Sequence, residues 1–352
     1  MGQPRGKKAE AVAKPRPPEL RLPAGMRDHA PAAAAARLKV IDTVMRAFEQ
    51  AGFERVLTPA FEYEEVLALG LGAAARAATV RFVEPSSGQV VALRPDITPQ
   101  IARLIATRYR DAKGPVRLCY EGTVVRLDRA ARGQRELSQA GVELAGLAGP
   151  AGDAEVIALG VAALTAAGLS RITIDLGHLG LARELMAALQ LPEAAVEAAR
   201  RCIAKRDGAG LQELLRSARG SRPAIELARM LPRLSGAPSV LEAAEKKAPS
   251  AGVRRALREL GAIVAAVEAR GIDARLHVDL GEVRGFDYYT GVRFQAFVPG
   301  APDAVLRDGR YDDLLGRYGR PSPAVGFAVD VEAVAGALDA AASLTSQSKG
   351  RN

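Results

Sequence analysis

The stretch Gly114–Gly146, GPVRLCYEGTVVRLDRAARGQRELSQAGVELAG, leaves a chain of this kind few choices of fold. β-branched and aromatic residues run to about Arg126, a basic, turn-rich segment follows from Asp128 to Gly133, and a second alternating run comes after it. That is the pattern of two strands joined by a loop. In the second run the period of two puts Gln139, Gly141 and Glu143 on one face and Ala140, Val142 and Leu144 on the other. One face packs, and the other offers an amide and a carboxylate. A half-buried carboxylate without a donor costs about 1–3 kcal/mol, so this face looks either into a pocket or polar network or, as in an ordinary antiparallel strand, at water.

The 352 residues suffice for a large core, and 48% hydrophobic with 25% charged residues is ordinary globular composition. The N-terminus has no apolar signal-peptide core and no apolar run reaches the length of a membrane span, so a cytoplasmic protein is expected. Cys119 and Cys202 are far apart, which argues against a disulfide framework or a zinc site, and His29, His178 and His277 are isolated, so no metal is expected. The formal charge of +9 sits mostly at the ends: residues 1–21 carry a net +4 and residues 344–352 a net +2. The remaining body, at +3, lacks the broad basic face that a nucleic-acid partner requires. Both ends, 1–20 and 344–352, are expected to be disordered tails.

Between the tails, helical spacing predicts a helix over 31–50 and alternation predicts a strand from Glu54 to Phe61, broken at Pro59. Gly70 and Gly72 read as a helix terminus. The runs 79–84 and 89–93 flank Pro85-Ser86-Ser87-Gly88, good hairpin chemistry. Leu93-Arg94-Pro95-Asp96-Ile97-Thr98-Pro99 precedes a helix to about Arg110, which Asp96 or Thr98 could cap. After the central strand pair come a helix over 153–167 and a strand over 171–176. Residues 178–260 are helical throughout and read as an insertion with a small core of its own, between the two parts, 21–177 and 261–343, of one main body. Strands return at 275–280, 292–298 and 324–329, with a helix over 331–338. Arg284, Asp287, Tyr288 and Tyr289 form an unusual cluster in a chain only 4% aromatic, although paired tyrosines on a sheet also serve simple packing.

The central stretch resembles motif 2 of class II aminoacyl-tRNA synthetases, and in detail the version in histidyl-tRNA synthetases. The segment 93–98 resembles that family's Leu-Arg-Pro-Glu-Gly-Thr, Arg284 to Tyr289 its Arg-Gly-x-Asp-Tyr-Tyr signature, and Gly309-Arg310-Tyr311-Asp312 its Gly-Gly-Arg-Tyr-Asp turn. The helix over 31–50 and the strand after it resemble motif 1, a dimer interface, and 324–338 stands in the place of motif 3. The resemblance covers about residues 20–342. It implies an α+β fold, a mixed and mainly antiparallel sheet flanked by helices, with the helical insertion. It also implies a histidine site: Asp96, Thr98 and Gln139 on the ammonium, Glu143, Tyr289 and Tyr311 on the imidazole with Tyr288 beside them, and Arg126 and Arg284 toward the carboxylate.

The departures point away from catalysis. The resemblance stops after motif 3, so an anticodon-binding domain is not expected. Motif 3 of the enzymes ends in an Arg that faces the ATP phosphates, where this chain has Asp330-Val331-Glu332-Ala333, and the aromatic that stacks on adenine corresponds to Leu137. Removing one such charge-stabilising donor typically costs about 10²–10³ in rate. Kept histidine recognition without nucleotide handling resembles the regulatory subunits of ATP phosphoribosyltransferase. That resemblance implies a homodimeric core in a hetero-oligomer with the short catalytic subunit, histidine as feedback effector, and neither catalytic residues nor a cofactor in this chain. The alternatives are a free-standing histidine-activating ligase and a tRNA-binding module using the basic tails.

Overall fold

In the computed structural model, residues 20–127, 133–285 and 288–349 are described. Helix α1 (Pro31–Gln50) starts with a proline, whose missing N–H is no loss at that position, and buries Val40, Val44, Met45 and Phe48 along one face. The strand expected over 54–61 is two strands in different sheets, β1 (Glu54–Val56) and β2 (Phe61–Tyr63). Pro59, with no N–H to give a ladder, lies in the break. Next come α2 (Glu64–Ala68) and α3 (Ala73–Ala77), with Gly70 and Gly72 between them. The hairpin of β3 (Arg81–Val83) and β4 (Val90–Leu93) and then α4 (Thr98–Arg108) follow. Asp96 does not cap α4 from the N-cap position; its Oδ1 accepts from the Thr98 N–H at 3.3 Å, an Asx turn leading into the helix.

The central pair is β5 (Val116–Val125) and β6 (Glu136–Ala145), antiparallel in register from Val116 opposite Ala145 to Val125 opposite Glu136. Most of the loop expected over 128–133, residues 128–132, lies outside the described residues. Then come α5 (Pro150–Ala166), β7 (Ile172–His178), α6 (Leu179–Leu189), α7 (Glu193–Ala204), α8 (Gly208–Leu215), α9 (Arg222–Met230), β8 (Ser235–Gly236), α10 (Val240–Glu245) and α11 (Ala251–Glu268). The chain finishes with β9 (Ala274–Asp279), β10 (Val292–Phe297), β11 (Leu306–Gly309), α12 (Leu314–Arg317), β12 (Ala324–Asp330) and α13 (Val331–Lys349). The last helix, expected to stop at Leu338, runs through most of the segment expected as a tail, since no Pro or Gly interrupts 337–349. Residues 1–19, expected to be the other tail, lie outside the described residues.

Nine strands form the main sheet in the order β1-β5-β6-β12-β11-β10-β7-β9-β8, and β2-β4-β3 form a small antiparallel one. Among the described residues only β1 with β5 and β7 with β9 pair in parallel; the other ladders are antiparallel. No described helix is long and apolar enough to cross a membrane. The segment 178–260 is not helical throughout and does not keep a separate core. It contains β8, the boundary expected at Leu260 falls inside α11, and its buried Leu185, Ile203, Leu227 and Leu257 join the same apolar cluster as Val44, Val142 and Phe327.

That cluster fills one face of the main sheet. On the other face Ile97, Ile101, Leu118, Tyr120, Tyr311 and Leu315 form a smaller one. Two buried arginines tie the layers together. Arg94 donates to the Thr58 and Thr123 carbonyls at 2.9 and 2.7 Å, clamping the link before β2 to β5. Arg310, 2% exposed, donates to fully buried Asp153 on α5 at 2.8 Å and to Asp312 at 3.0 Å. Asp312 Oδ1 also accepts from the Ala324 N–H, which fixes the turn that carries Tyr311. Breaking a buried pair strands a charge, so Asp153→Ala is expected to destabilise the chain by about 3–5 kcal/mol, read as a lowered urea midpoint at unchanged slope.

Candidate functional site

The polar face of β6 does look inward. Gln139 and Glu143 are 9% and 3% exposed, with Ala140, Val142 and Leu144 in the large cluster behind the sheet, as the alternation predicts. Glu143 fits because β12 places Gly326 directly opposite it: a Cβ there would strike the Glu143 carboxylate and the Val142 carbonyl. Tyr120, from the neighbouring β5, donates to Glu143 Oε1 at 3.3 Å, while Glu143 Oε2 has no partner. The Thr98 hydroxyl lies beside both side chains, yet no group meets it in hydrogen-bonding geometry.

Three tyrosines line the same space. The Tyr288 ring stands edge-on to Tyr289 at 5.0 Å and tilted against Tyr311 at 5.6 Å, and all three join the smaller apolar cluster. Tyr289 lies over Gly309, where a Cβ would meet its ring. Tyr311 is 1% exposed and its hydroxyl is unpartnered. Phe286 and Asp287, part of the expected signature, lie outside the described residues.

The structure thus brings together Asp96, Thr98, Gln139, Glu143, Tyr288, Tyr289 and Tyr311. Arg126 borders them, donating to the Pro95 carbonyl at 2.6 Å with its Nη2 4.0 Å from Asp96 Oδ2. Arg284 is directed elsewhere, its guanidinium gripping Glu282 at 2.6 Å and Gln295 at 3.2 Å. Arg293, which the sequence did not single out, shares Glu282 and lies 5.9 Å from the Tyr289 ring centre.

A second residue missing from the sequence reading is Asp308 on β11. It is 7% exposed, faces the Tyr289 hydroxyl, and leaves Oδ1 unpartnered. The signal was present: Asp308-Gly309-Arg310-Tyr311-Asp312 places an acid at the first glycine of the five-residue turn it resembles. Burial pushes both Glu143 and Asp308 well above the ordinary carboxylate range. Asp308 then raises Glu143 further, and Asp96 raises both.

Five buried polar atoms without a protein partner therefore belong to this one cluster: Thr98 Oγ1, Gln139 Oε1, Glu143 Oε2, Asp308 Oδ1 and Tyr311 Oη. Orphans of this kind are rare in folded chains. Most are acceptors or hydroxyls on an acid-rich wall, which suits a ligand rich in N–H donors. The clefts along α11, of about 540 and 390 Å³, are different in kind, since their charges are matched within the protein, Arg255 with Glu184 and Arg258 with Glu245. Among the described residues, no group of His, Cys, Asp and Glu could hold a metal ion.

At the junction of β12 and α13, the expected place of motif 3, Asp330 accepts from the Ala333 N–H at 2.9 Å and caps the helix. Glu332 accepts from the Ser138 N–H at 2.9 Å and lies 3.6 Å from Arg37. Ala333, in the position of the expected cation, is buried.

This sheet, its helices and the polar, tyrosine-lined cluster on its second face define a class II aminoacyl-tRNA synthetase-like core. The family model of histidyl-tRNA synthetase matches residues 25–334. An ATP phosphoribosyltransferase regulatory subunit from Geobacter sulfurreducens is 41% identical, over 92% of this chain and 74% of the relative's length. One from an Anaeromyxobacter species is 43% identical, over 92% and 94%. Among solved structures, a Bacillus halodurans protein described as an ATP phosphoribosyltransferase regulatory subunit/histidyl-tRNA synthetase superposes with a TM-score of 0.84 at 30% identity, over 92% of this chain and 84% of that one. The chain belongs to the ATP phosphoribosyltransferase regulatory subunits, within the histidyl-tRNA synthetase family.

The raised carboxyls have a consequence for stability. The folded chain holds a proton at Glu143 that the unfolded chain, with an ordinary carboxylate, has already released, so raising the pH favours unfolding. Ligand-free stability is expected to fall as pH rises from the ordinary carboxylate range toward the raised folded value. Glu143→Gln should flatten that slope, as measured by denaturant titrations at several pH values.

Proposed function

We propose that this chain is the non-catalytic regulatory subunit that works with a short catalytic subunit of ATP phosphoribosyltransferase in the first step of histidine biosynthesis, and that histidine bound in the pocket delivers feedback inhibition. The observation that carries the reading is the set of five unpartnered buried polar atoms gathered around three tyrosines. A small amino acid with an ammonium and an imidazole supplies the missing donors. In this reading Asp96, Thr98 and Gln139 take the ammonium, Glu143, Tyr289 and Tyr311 the ring with Tyr288 behind it, and Arg126 the carboxylate. Arg284 joins only by releasing Glu282.

The junction of β12 and α13 supports the loss of ATP chemistry. It offers two carboxylates and a methyl group where a triphosphate needs fixed positive charge. The small sheet supports self-association: Phe61 and Phe82 meet edge to face at 5.4 Å while still 44% and 38% exposed, with Val83 and Val90 open beside them. Exposed apolar patches of this sort mark contact surfaces, here that of a homodimer inside a larger cytoplasmic complex. Histidine needs a differential affinity for two arrangements of that complex of only about 1–3 kcal/mol to change activity 5–150-fold.

The chain should co-purify with a short phosphoribosyltransferase, raise its activity, and render it sensitive to histidine. Glu143→Ala should keep the complex but weaken the inhibition at least tenfold, since a buried charge-assisted contact is worth about 1.5–3 kcal/mol. Histidine-dependent exchange of pyrophosphate into ATP by the chain alone would replace this reading with a histidine-activating ligase. Unchanged inhibition in Glu143→Ala would move the effector site elsewhere in the complex.

A further inference from the structure

Asp308 gives the pocket a property that Glu143 alone would not. Two carboxyls, one on β6 and one on β11, enter the same tyrosine-lined space, and each keeps one oxygen without a partner. Around them stand Asp96 ahead of α4, Tyr120 on β5, Tyr288 and Tyr289 after β9, and Arg293 on β10. Arg293 is shared with Glu282, and Arg126 keeps to the Asp96 side. The balance in the pocket is therefore acidic, and both free oxygens can only accept while ionised.

A neutral imidazole presents one N–H donor and one bare nitrogen, whereas an imidazolium presents two donors on opposite sides of the ring. Two acceptor oxygens match the second species and leave a bare nitrogen facing a carboxylate with the first. We propose that Asp308 is a specificity residue that takes the second ring N–H, opposite Glu143, so that the pocket selects histidine with its ring protonated. This rests on the reading of the pocket as a histidine site. The extra proton need not come from solvent, because burial keeps a proton on the carboxyl pair of the empty pocket, and the ring can take it as the ligand enters.

The test begins with the unaltered chain and ring-¹⁵N histidine at pH 8, well above the free ring's ordinary value of about 6.5. Both ring nitrogens should show protonated chemical shifts when bound, with the ring's titration raised by at least about two units. Calorimetric titration then compares Asp308→Asn with the unaltered chain. Histidine affinity should fall roughly ten- to a hundredfold, while 2-thiazolylalanine, whose ring has no N–H, should be little affected. A neutral bound ring in the unaltered chain overturns the proposal whether or not the variant folds, and so does equal histidine affinity in a folded variant. Absence of any histidine binding to the unaltered chain overturns both this inference and the reading of the pocket beneath it.

Discussion

The burial of Glu143 is the constraint around which the rest of the site is arranged. A carboxyl 3% exposed, with one oxygen unpartnered, works against folding, and it is tolerated because the opposite face of the same strand buries Ala140, Val142 and Leu144 in the largest apolar cluster of the chain. The strand cannot slip by one residue to relieve the acid without expelling that apolar set into the pocket. Room for the side chain comes from Gly326 on the neighbouring strand, and a donor, Tyr120, comes from the strand on the other side. Three adjacent strands are thus matched to one unfavourable group, the arrangement expected where a ligand rather than the fold satisfies it.

Much of this could be read from the residues. The alternation in 136–145 assigned the two faces correctly because one of them is buried in a continuous apolar layer, and Ile97, Tyr288, Tyr289 and Tyr311, from three motif-like segments, meet in space although more than two hundred residues separate the first from the last. Failure came where tertiary packing decides. The helices of 178–260 looked like a unit because local periodicity shows only that each has an apolar face; that α6 and α11 turn theirs onto the main sheet is a long-range fact. Arg284 was placed toward the pocket by pattern, but Glu282, two residues away and buried, competes for its guanidinium. Asp308 escaped because an acid standing where a turn resembles glycine reads as a lost match rather than a gained group.

The two ends of the site differ in character on one pair of strands. Between β6 and β12 the register sets Glu143 opposite Gly326 at one end and Gln139 opposite Asp330 at the other. The first pairing leaves room for the Glu143 carboxylate. Near the second, Asp330 spends its carboxylate on capping α13 and Glu332 reaches back to the Ser138 amide. Carboxylates that satisfy backbone N–H groups stabilise a helix start and a strand edge, but they also fill with negative charge the place where nucleotide chemistry would need cations. The same two carboxylates thus stabilise the junction and support the proposed absence of nucleotide chemistry there.

The pocket's construction also bears on how a small ligand could be felt at a distance. Its walls come from the lead-in to α4, from β5 and β6, from the turn before β10, from β11 and from the Tyr311 turn, so no single element encloses it. The Ser138 amide, next to Gln139, is held by Glu332 of α13, and Glu332 lies beside Arg37 of α1, which links the pocket's edge to two long helices packed on each other. A ligand can shift an equilibrium only by the difference in its contacts with the two states. A ligand that draws donors and acceptors from six separate segments loses several contacts at once when any of them moves, so its affinity depends steeply on how those segments are arranged. That steep dependence, rather than strong binding as such, is what the proposed role as an effector site requires.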